Sequence, residues 1–170
     1  MLIQPAELAD APSVMEILTL CREEMRVHGI DQWDETYPNL QIVEDDARSR
    51  SLFVIREDGR CVGSVCLNDL QPAEYCSVPW RCTGGRALVV HRLCVLPERQ
   101  RRGVGRRLME FAEDCARERG FACIRLEVYI GAPRAVALYE HLGYQRVGQV
   151  RFPRRRLPFD CFELSIAGTK

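Results

Sequence analysis

The chain has 170 residues, 46% of them apolar and 28% charged, which is the composition of a globular protein and predicts a single domain over residues 1–170. Lysine plus arginine and aspartate plus glutamate number 24 each, so the net charge gives no reason to expect a nucleic-acid or membrane partner. No apolar run reaches the ~18 residues of a membrane span. The first residues also lack the basic-then-apolar pattern of a secretory signal, and we expect a cytoplasmic protein.

The nine cysteines form no C-x-x-C pair, and several of them lie in apolar runs. We therefore expect reduced core thiols, with neither a disulfide framework nor a metal site.

The N-terminal third predicts a short strand at Leu2-Ile3, followed by a helix that Asp10 caps and Gly29 ends. One face of this helix is apolar at helical spacing and consists of Val14, Ile17, Leu18, Cys21 and Met25. Trp33 and Tyr37 follow in a broken segment. They could cover one end of the core or wall an acceptor-substrate pocket.

A hairpin is predicted next, with strands Ser51–Arg56 and Arg60–Leu67 around Asp58-Gly59. The long connection 68–85 contains Glu74 and Trp80, which are further candidates for the substrate pocket.

The middle of the chain predicts a strand, a helix and a strand. Ala87–Leu96 is an apolar run that Pro97 ends, and Phe121–Tyr129 alternates as a strand does. Between them Leu108, Phe111, Ala112 and Cys115 repeat at helical spacing up to Gly120. A crossover of this kind joins parallel strands.

The last quarter predicts a helix at Arg134–Leu142 and two strands, Tyr144–Val150 and Phe159–Ile166. Between these strands lies Arg154-Arg155-Arg156, which could bind a phosphate or carboxylate or form a solvated turn.

The segment Gln100–Gly105 lies between a strand and a helix start, and its glycines let a ligand approach the backbone. Unpaired N–H groups and the helix dipole make such a place an anion site. The Gly-Lys-Ser/Thr ending of a nucleotide triphosphate loop and the third glycine of a dinucleotide loop are both missing.

Two motifs resemble the GCN5-related N-acetyltransferase (GNAT) family. The first is Gln100-Arg-Arg-Gly103-Val-Gly105, preceded by Leu93-Cys94-Val95. The second is Ala135-Val-Ala-Leu138-Tyr139, which continues to Gly143-Tyr144. Many relatives have an asparagine where this chain has Ala132, so one side-chain contact to the cofactor is expected to be missing. The chain also resembles an uncharacterised bacterial-type branch of the family.

The resemblance implies an α/β (α+β) fold, a mixed and mainly antiparallel sheet splayed between two central parallel strands and flanked by helices. It also implies acetyl-CoA as the cofactor and direct acetyl transfer to a primary amine, with CoA as the product. The residues expected to bind the cofactor are Leu93, Cys94, Val95, Gln100, Arg101, Arg102, Gly103, Val104, Gly105, Arg106, Arg134 and Tyr139. Val95 N–H would be an oxyanion donor and Tyr139 the general acid for the thiolate.

The general base stays open between His91, which is expected to share a strand face with Leu93 and Val95, and Glu127, at the end of the neighbouring strand. His28 and Glu74 are weaker candidates. The acceptor is a small-molecule or peptide amine, and Trp33, Tyr37, Glu74 and Trp80 are its predicted contacts. Homodimerisation is plausible from the family resemblance.

Two other functions compete with this prediction. One is a catalytically silent acyl-CoA-binding or sensor module, which the intact Tyr139 disfavours. The other is a phosphate-binding module for another nucleotide, which the incomplete loop motifs disfavour.

Overall fold

The computed structural model describes residues 1–166 and contains seven strands in the sheet order β1-β2-β3-β4-β5-β7-β6. The chain divides into two compact units. The first unit comprises Met1–Leu67 and His91–Phe111, and the second comprises Asn68–Val90 and the residues from Ala112 onward. The prediction of a single domain over 1–170 stays a prediction.

The strands of the first unit are β1 (Leu2–Pro5), β2 (Leu52–Glu57), β3 (Arg60–Asn68) and the second half of β4 (Ala87–Val95). β1 and β3 both pair antiparallel with β2. The predicted hairpin is confirmed, because Asp58 and Gly59 adopt the left-handed φ angles of +49° and +81° that a tight two-residue turn requires.

Helix α1 (Ala11–Val27) buries the face that the sequence predicts. A 3-10 turn, Leu8–Asp10, precedes it. The predicted N-cap position of Asp10 is confirmed, but its side chain makes no capping bond to α1. Its carboxylate instead accepts the Glu7 N–H at 2.9 Å and pairs with Arg56.

Helix α2 (Leu40–Arg48) was not predicted from the sequence. It begins at Asn39, whose Oδ1 accepts the Ile42 N–H at 3.1 Å. Val43 and Ala47, one turn apart, bury its inner face. The helices α1 and α2 close over an apolar core that includes Val14, Ile17, Leu18, Trp33, Val43, Leu52, Val54, Cys94 and Leu96.

The second unit contains the start of β4, β5 (Cys123–Tyr129), β6 (Gln145–Val150) and β7 (Phe159–Ser165). Ala87–Val89 pairs in parallel with Cys123–Arg125, while β7 pairs antiparallel with β5 and β6. The predicted fold class, a mixed and mainly antiparallel sheet with a central parallel pair, is confirmed.

Helix α3 (Val104–Glu118) ends before Gly120, whose φ is +68°. Helix α4 (Pro133–His141) lies one residue earlier than predicted. The strand expected from Phe121 begins at Cys123.

No helix within residues 1–166 is long and apolar enough to cross a membrane. In the same part of the chain, no three His, Cys, Asp or Glu side chains are grouped as a metal site requires.

Candidate active site

The loop after β4 turns sharply before α3 begins. A 3-10 turn at Pro97–Arg99 follows the strand, and then Arg101 and Gly103 adopt left-handed φ angles of +59° and +82°. A β-carbon on Gly103 would meet no atom within 4 Å, so this position is open as well as left-handed. The backbone is therefore exposed to a ligand at the point where the helix starts.

Gln100 ties this loop to the end of β4. Its side-chain Nε2 donates to the Val95 carbonyl at 3.1 Å. The same oxygen lies 3.2 Å from the buried Cys21 Sγ. The carbonyl of Val95 is thus satisfied inside the first unit. The Gln100 side chain adds to two backbone bonds of the loop, from Arg99 N–H to Leu96 O and from Gln100 N–H to Pro97 O.

The amides at the start of α3 fit an anionic group. The hydrogen-bond ladder begins where Arg107 N–H donates to Gly103 O at 3.0 Å, and the amides before it have no helical partner. Arg101 and Arg102 are exposed beside them, while Arg106 pairs with Glu110 at 2.8 Å. Amides, arginines and the helix dipole together suit a pyrophosphate.

The direction of the Val95 N–H follows from its neighbours. Leu96 N–H donates to Val62 O in β3 at 2.9 Å. Successive peptide groups of a strand point to opposite edges, so Val95 N–H points away from β3. The oxyanion role of the Val95 N–H stays a prediction.

In the second unit, Glu127 lies in a cluster of aromatic hydroxyls. The hydroxyl of Tyr75 donates to Glu127 Oε2. Burial and the charge of Glu127 raise the pKa of Tyr75. The same two causes, in the same order, raise the pKa of Tyr139. The structure therefore brings a predicted base and the predicted acid together and keeps both phenols protonated at neutral pH.

Tyr75 is a site residue that the sequence did not predict. It lies in the 3-10 turn Ala73–Ser77, and its ring is buried. The Trp80 Nε1 donates to the Tyr75 carbonyl at 3.0 Å, and the two ring centroids are 4.8 Å apart. The only local signal for Tyr75 was that it is an aromatic residue in a loop. Its partner, Glu127, lies 52 positions further along the chain.

Glu163 holds the segment that carries Tyr75 and Trp80. This carboxylate is 3% exposed and accepts the backbone N–H groups of Arg81 and Cys82 at 2.9 and 3.0 Å. It also pairs with Arg125 Nε at 3.1 Å. The Arg125 guanidinium stacks over the Trp80 ring, 4.5 Å from its centroid.

Tyr139 is 7% exposed on α4. Its ring lies 5.9 Å from the Tyr144 ring and 6.3 Å from the Phe162 ring, measured between centroids. These contacts fix the direction of the phenol, as a proton donor requires. Ala132, at the start of α4, offers no side-chain bond there.

The other predicted site residues are dispersed. Trp33 is 8% exposed and belongs to the apolar core of the first unit, whereas Tyr37 is 37% exposed. Glu74 is partly buried, and Arg134 is exposed.

His91 was expected to share a strand face with Val95 because the two are four residues apart. Between them Arg92 has a left-handed φ of +47°, which breaks the alternation of side chains along β4. The shared face no longer follows from the spacing. The role of His91 as a base stays a prediction.

A model of the acetyltransferase (GNAT) family matches residues 12–144. The chain belongs to this family. Its membership confirms the resemblance, the predicted enzyme class of acyl-CoA-dependent acetyltransferase and acetyl-CoA as the cofactor.

Relatives and solved structures extend this match. The S-(2-succino)cysteine N-acetyltransferase of Bacillus subtilis is 24% identical over 144 residues, covering 82% of this chain and 81% of that protein. The alanine N-acetyltransferase for ribosomal protein bS18 of Escherichia coli is 44% identical over 52 residues, covering 31% of this chain and 35% of that protein. YncA of Salmonella typhimurium, solved with acetyl-CoA, has a TM-score of 0.72 at 19% identity, covering 100% of this chain and 96% of that one.

Proposed function

We propose that this acetyltransferase moves an acetyl group directly to a primary amine, with Tyr139 as general acid and Glu127 as general base. The observation that carries this proposal is the cluster in the second unit, where the charge of Glu127 acts on a buried, protonated Tyr139. Acetyl-CoA supplies the acetyl group as a thioester. All nine cysteines are free thiols, which suits a reducing compartment, and we place the protein in the cytoplasm.

The first unit would hold the cofactor. The backbone amides of residues 101–106 suit the pyrophosphate, and Gln100 keeps the loop in place through Val95 O. The Val95 N–H would donate to the carbonyl oxygen of the acetyl group. Removing one oxyanion donor in other enzymes costs about 2.7–4 kcal/mol of transition-state stabilisation.

Two protons have to move. A primary amine is mostly protonated at neutral pH. The carboxylate of Glu127, which accepts a hydrogen bond from the Tyr75 hydroxyl, would take up the proton of the amine. Tyr139 would donate its hydroxyl proton to the departing sulfur. Burial and the charge of Glu127 raise the pKa of Tyr139, so the phenol still carries its proton when the sulfur departs.

The acceptor is proposed only by class, as a small-molecule or peptide amine. The two relatives named above act on a cysteine conjugate and on a ribosomal protein alanine, so the family match leaves both sizes open. Tyr37, Trp80 and Glu74 remain proposed contacts for it. The homodimer stays a prediction.

The first test is thermal and urea unfolding with acetyl-CoA, CoA, ATP or NAD, each at the same ionic strength. A ligand at 100 times its Kd adds about 2.7 kcal/mol to the free energy of unfolding. We expect stabilisation by acetyl-CoA and CoA alone. If ATP or NAD stabilised the protein and acetyl-CoA did not, the assignment of the loop 100–105 to the pyrophosphate of acetyl-CoA would be contradicted.

The second test is release of free thiol from acetyl-CoA with S-(2-succino)cysteine and an alanyl peptide as acceptors. Tyr139→Phe should lower kcat about 10²–10⁴-fold, since it removes the proton donor but not the ring. The variant should retain the stabilisation by acetyl-CoA. Wild-type binding of acetyl-CoA without turnover on any amine would favour the silent module.

A further inference from the structure

Arg92 has an unusual backbone conformation for its place in a strand. Its φ of +47° lies in the left-handed region, which is unfavourable for a non-glycine residue. Residues in such conformations persist when the surrounding contacts over-determine them, and they concentrate at functional sites. The contacts of the Arg92 side chain are therefore informative.

The guanidinium of Arg92 is buried and holds two partners at once. Its NH2 group lies 2.6 Å from Asp46 Oδ2, and the two side chains are 14% and 13% exposed. Its NH1 group donates to the Tyr37 hydroxyl at 3.2 Å. Burial opposes the charge, but Tyr37, Cys66 and Asp46 outweigh it and raise the pKa of Arg92.

The main chain of Tyr37 is held separately. Asp34 Oδ1 accepts the N–H groups of Thr36 and Tyr37 at 2.8 and 3.0 Å, and the Thr36 hydroxyl at 2.6 Å. Asp34 is itself tied to α1, because Arg22 donates to its carbonyl at 3.1 Å. Tyr37 is thus fixed at its backbone by this turn and at its hydroxyl by Arg92.

The ring of Tyr37 is nevertheless 37% exposed. A ring that only filled the core would be covered, as Trp33 is. The fixed and exposed ring presents a surface whose position is set from β4, three residues before Val95. Strand β4 therefore contains both Val95, whose backbone is proposed to face the acetyl group, and Arg92, whose side chain orients Tyr37.

We propose that Arg92 is a positioning residue for the acceptor amine. Its hydrogen bond to the Tyr37 hydroxyl fixes the Tyr37 ring relative to β4, and its ion pair with Asp46 fixes Arg92 itself. This inference rests on the proposed function and extends it. The guanidinium suits the task because its planar fork can bond two partners in fixed directions, which a lysine ammonium cannot. Arg92 itself would touch no reacting atom.

The test measures the KM of the acceptor, the KM of acetyl-CoA and kcat for Tyr37→Phe and Arg92→Lys. The acceptor is whichever of S-(2-succino)cysteine and the alanyl peptide the wild-type protein acetylates. Tyr37→Phe removes the bond to Arg92 and leaves the ion pair with Asp46 intact. A typical hydrogen bond corresponds to about 2–13-fold in an equilibrium constant, and we expect the acceptor KM to rise by that factor. The KM of acetyl-CoA and kcat should stay within about twofold.

Arg92→Lys keeps the charge opposite Asp46 and should give the same change in acceptor KM. Arg48→Lys is the matched control, because Arg48 also bonds two partners, Glu44 and Asp45, but does so at the exposed surface of α2. Its acceptor KM should equal that of the wild type.

Three outcomes would overturn the inference. If the wild type is active and Tyr37→Phe has an unchanged acceptor KM, Arg92 has no positioning role, whereas the proposed function is unaffected. Equal losses in kcat and in both KM values, together with a lower unfolding midpoint, would make the contact structural. A wild type that binds acetyl-CoA but acetylates neither amine would remove the proposed function first.

Discussion

The hydroxyl of Tyr75 donates a hydrogen bond to Glu127, the proposed general base. Tyr75→Phe removes only this hydroxyl, and we expect kcat/KM to fall about 2–13-fold, the value of one ordinary hydrogen bond. Glu127→Gln removes the base itself and should cost about 10²–10⁴-fold. Both are measured by thiol release. Equal activities of Glu127→Gln and the wild type would return the role of base to His91.

Gln100 acts on the other substrate. Its bond to Val95 O holds the loop whose amides are proposed to bind the pyrophosphate. Gln100→Ala should raise the KM of acetyl-CoA about 2–13-fold and leave the KM of the amine unchanged. Binding of CoA, followed by calorimetry, provides a check that does not depend on turnover. An unchanged affinity would mean that the loop keeps its shape without this bond.

At the scale of the secondary-structure elements, β3 comes close to β4 at Gly63. A β-carbon there would lie 2.8 Å from the Cys94 carbonyl and 3.2 Å from Ile55 Cγ2, and the carbonyl is backbone that cannot turn away. Gly63→Ala should therefore lower the free energy of unfolding by about 1–3 kcal/mol, measured by urea denaturation.

Gly84→Ala is the matched control for this substitution. A β-carbon at Gly84 meets no atom within 4 Å. Its unfolding free energy should stay within about 1 kcal/mol of the wild-type value. If both alanine variants behaved alike, close approach at Gly63 would not be the cause.

Elements with a strong local pattern could be predicted from the sequence. The hairpin around Asp58-Gly59 and the helix before Gly120 both carry their turn residues and their apolar period within one short stretch. Helix α2 was not predicted, although the capping Asn39 and the spaced Val43 and Ala47 were a usable signal.

The site could be predicted only in part, for a physical reason. The loop from Gln100 to Gly105 is continuous in sequence, so its anion site follows from local geometry. The bonds of Tyr75 to Glu127 and of Arg92 to Asp46 join residues 52 and 46 positions apart. Such pairs depend on the register of distant strands and loops, which one sequence does not reveal.

For the molecule as a whole, buried thiols make stability depend on alkaline pH. Burial is the first cause that raises the pKa of seven cysteines, for example to about 11 for Cys94 and about 12 for Cys66. The unfolded chain releases these protons near pH 8.5, whereas the folded protein retains them. The stabilisation is thus fully present below about pH 8.5 and is lost as the pH rises.

We expect the free energy of unfolding to fall steeply between pH 8.5 and 9.5, by up to about 1.4 kcal/mol per pH unit for each thiol. Urea denaturation at several pH values, with a reductant present, measures this slope. Cys66→Ala removes one of these thiols and should reduce the slope by up to about 1.4 kcal/mol per pH unit. A constant free energy of unfolding over this range would show that the thiols titrate alike in both states.

The same burial matters for the chemistry of a protein that handles a thioester. Thiolates attack thioesters, and only the deprotonated sulfur is a strong nucleophile. Cys94 belongs to the strand that ends at Val95, and Cys21 Sγ lies 3.2 Å from Val95 O, yet both side chains are buried and both have raised pKa values. These sulfurs therefore stay protonated at neutral pH. Burial thus protects these two thiols from acetylation in place of the acceptor.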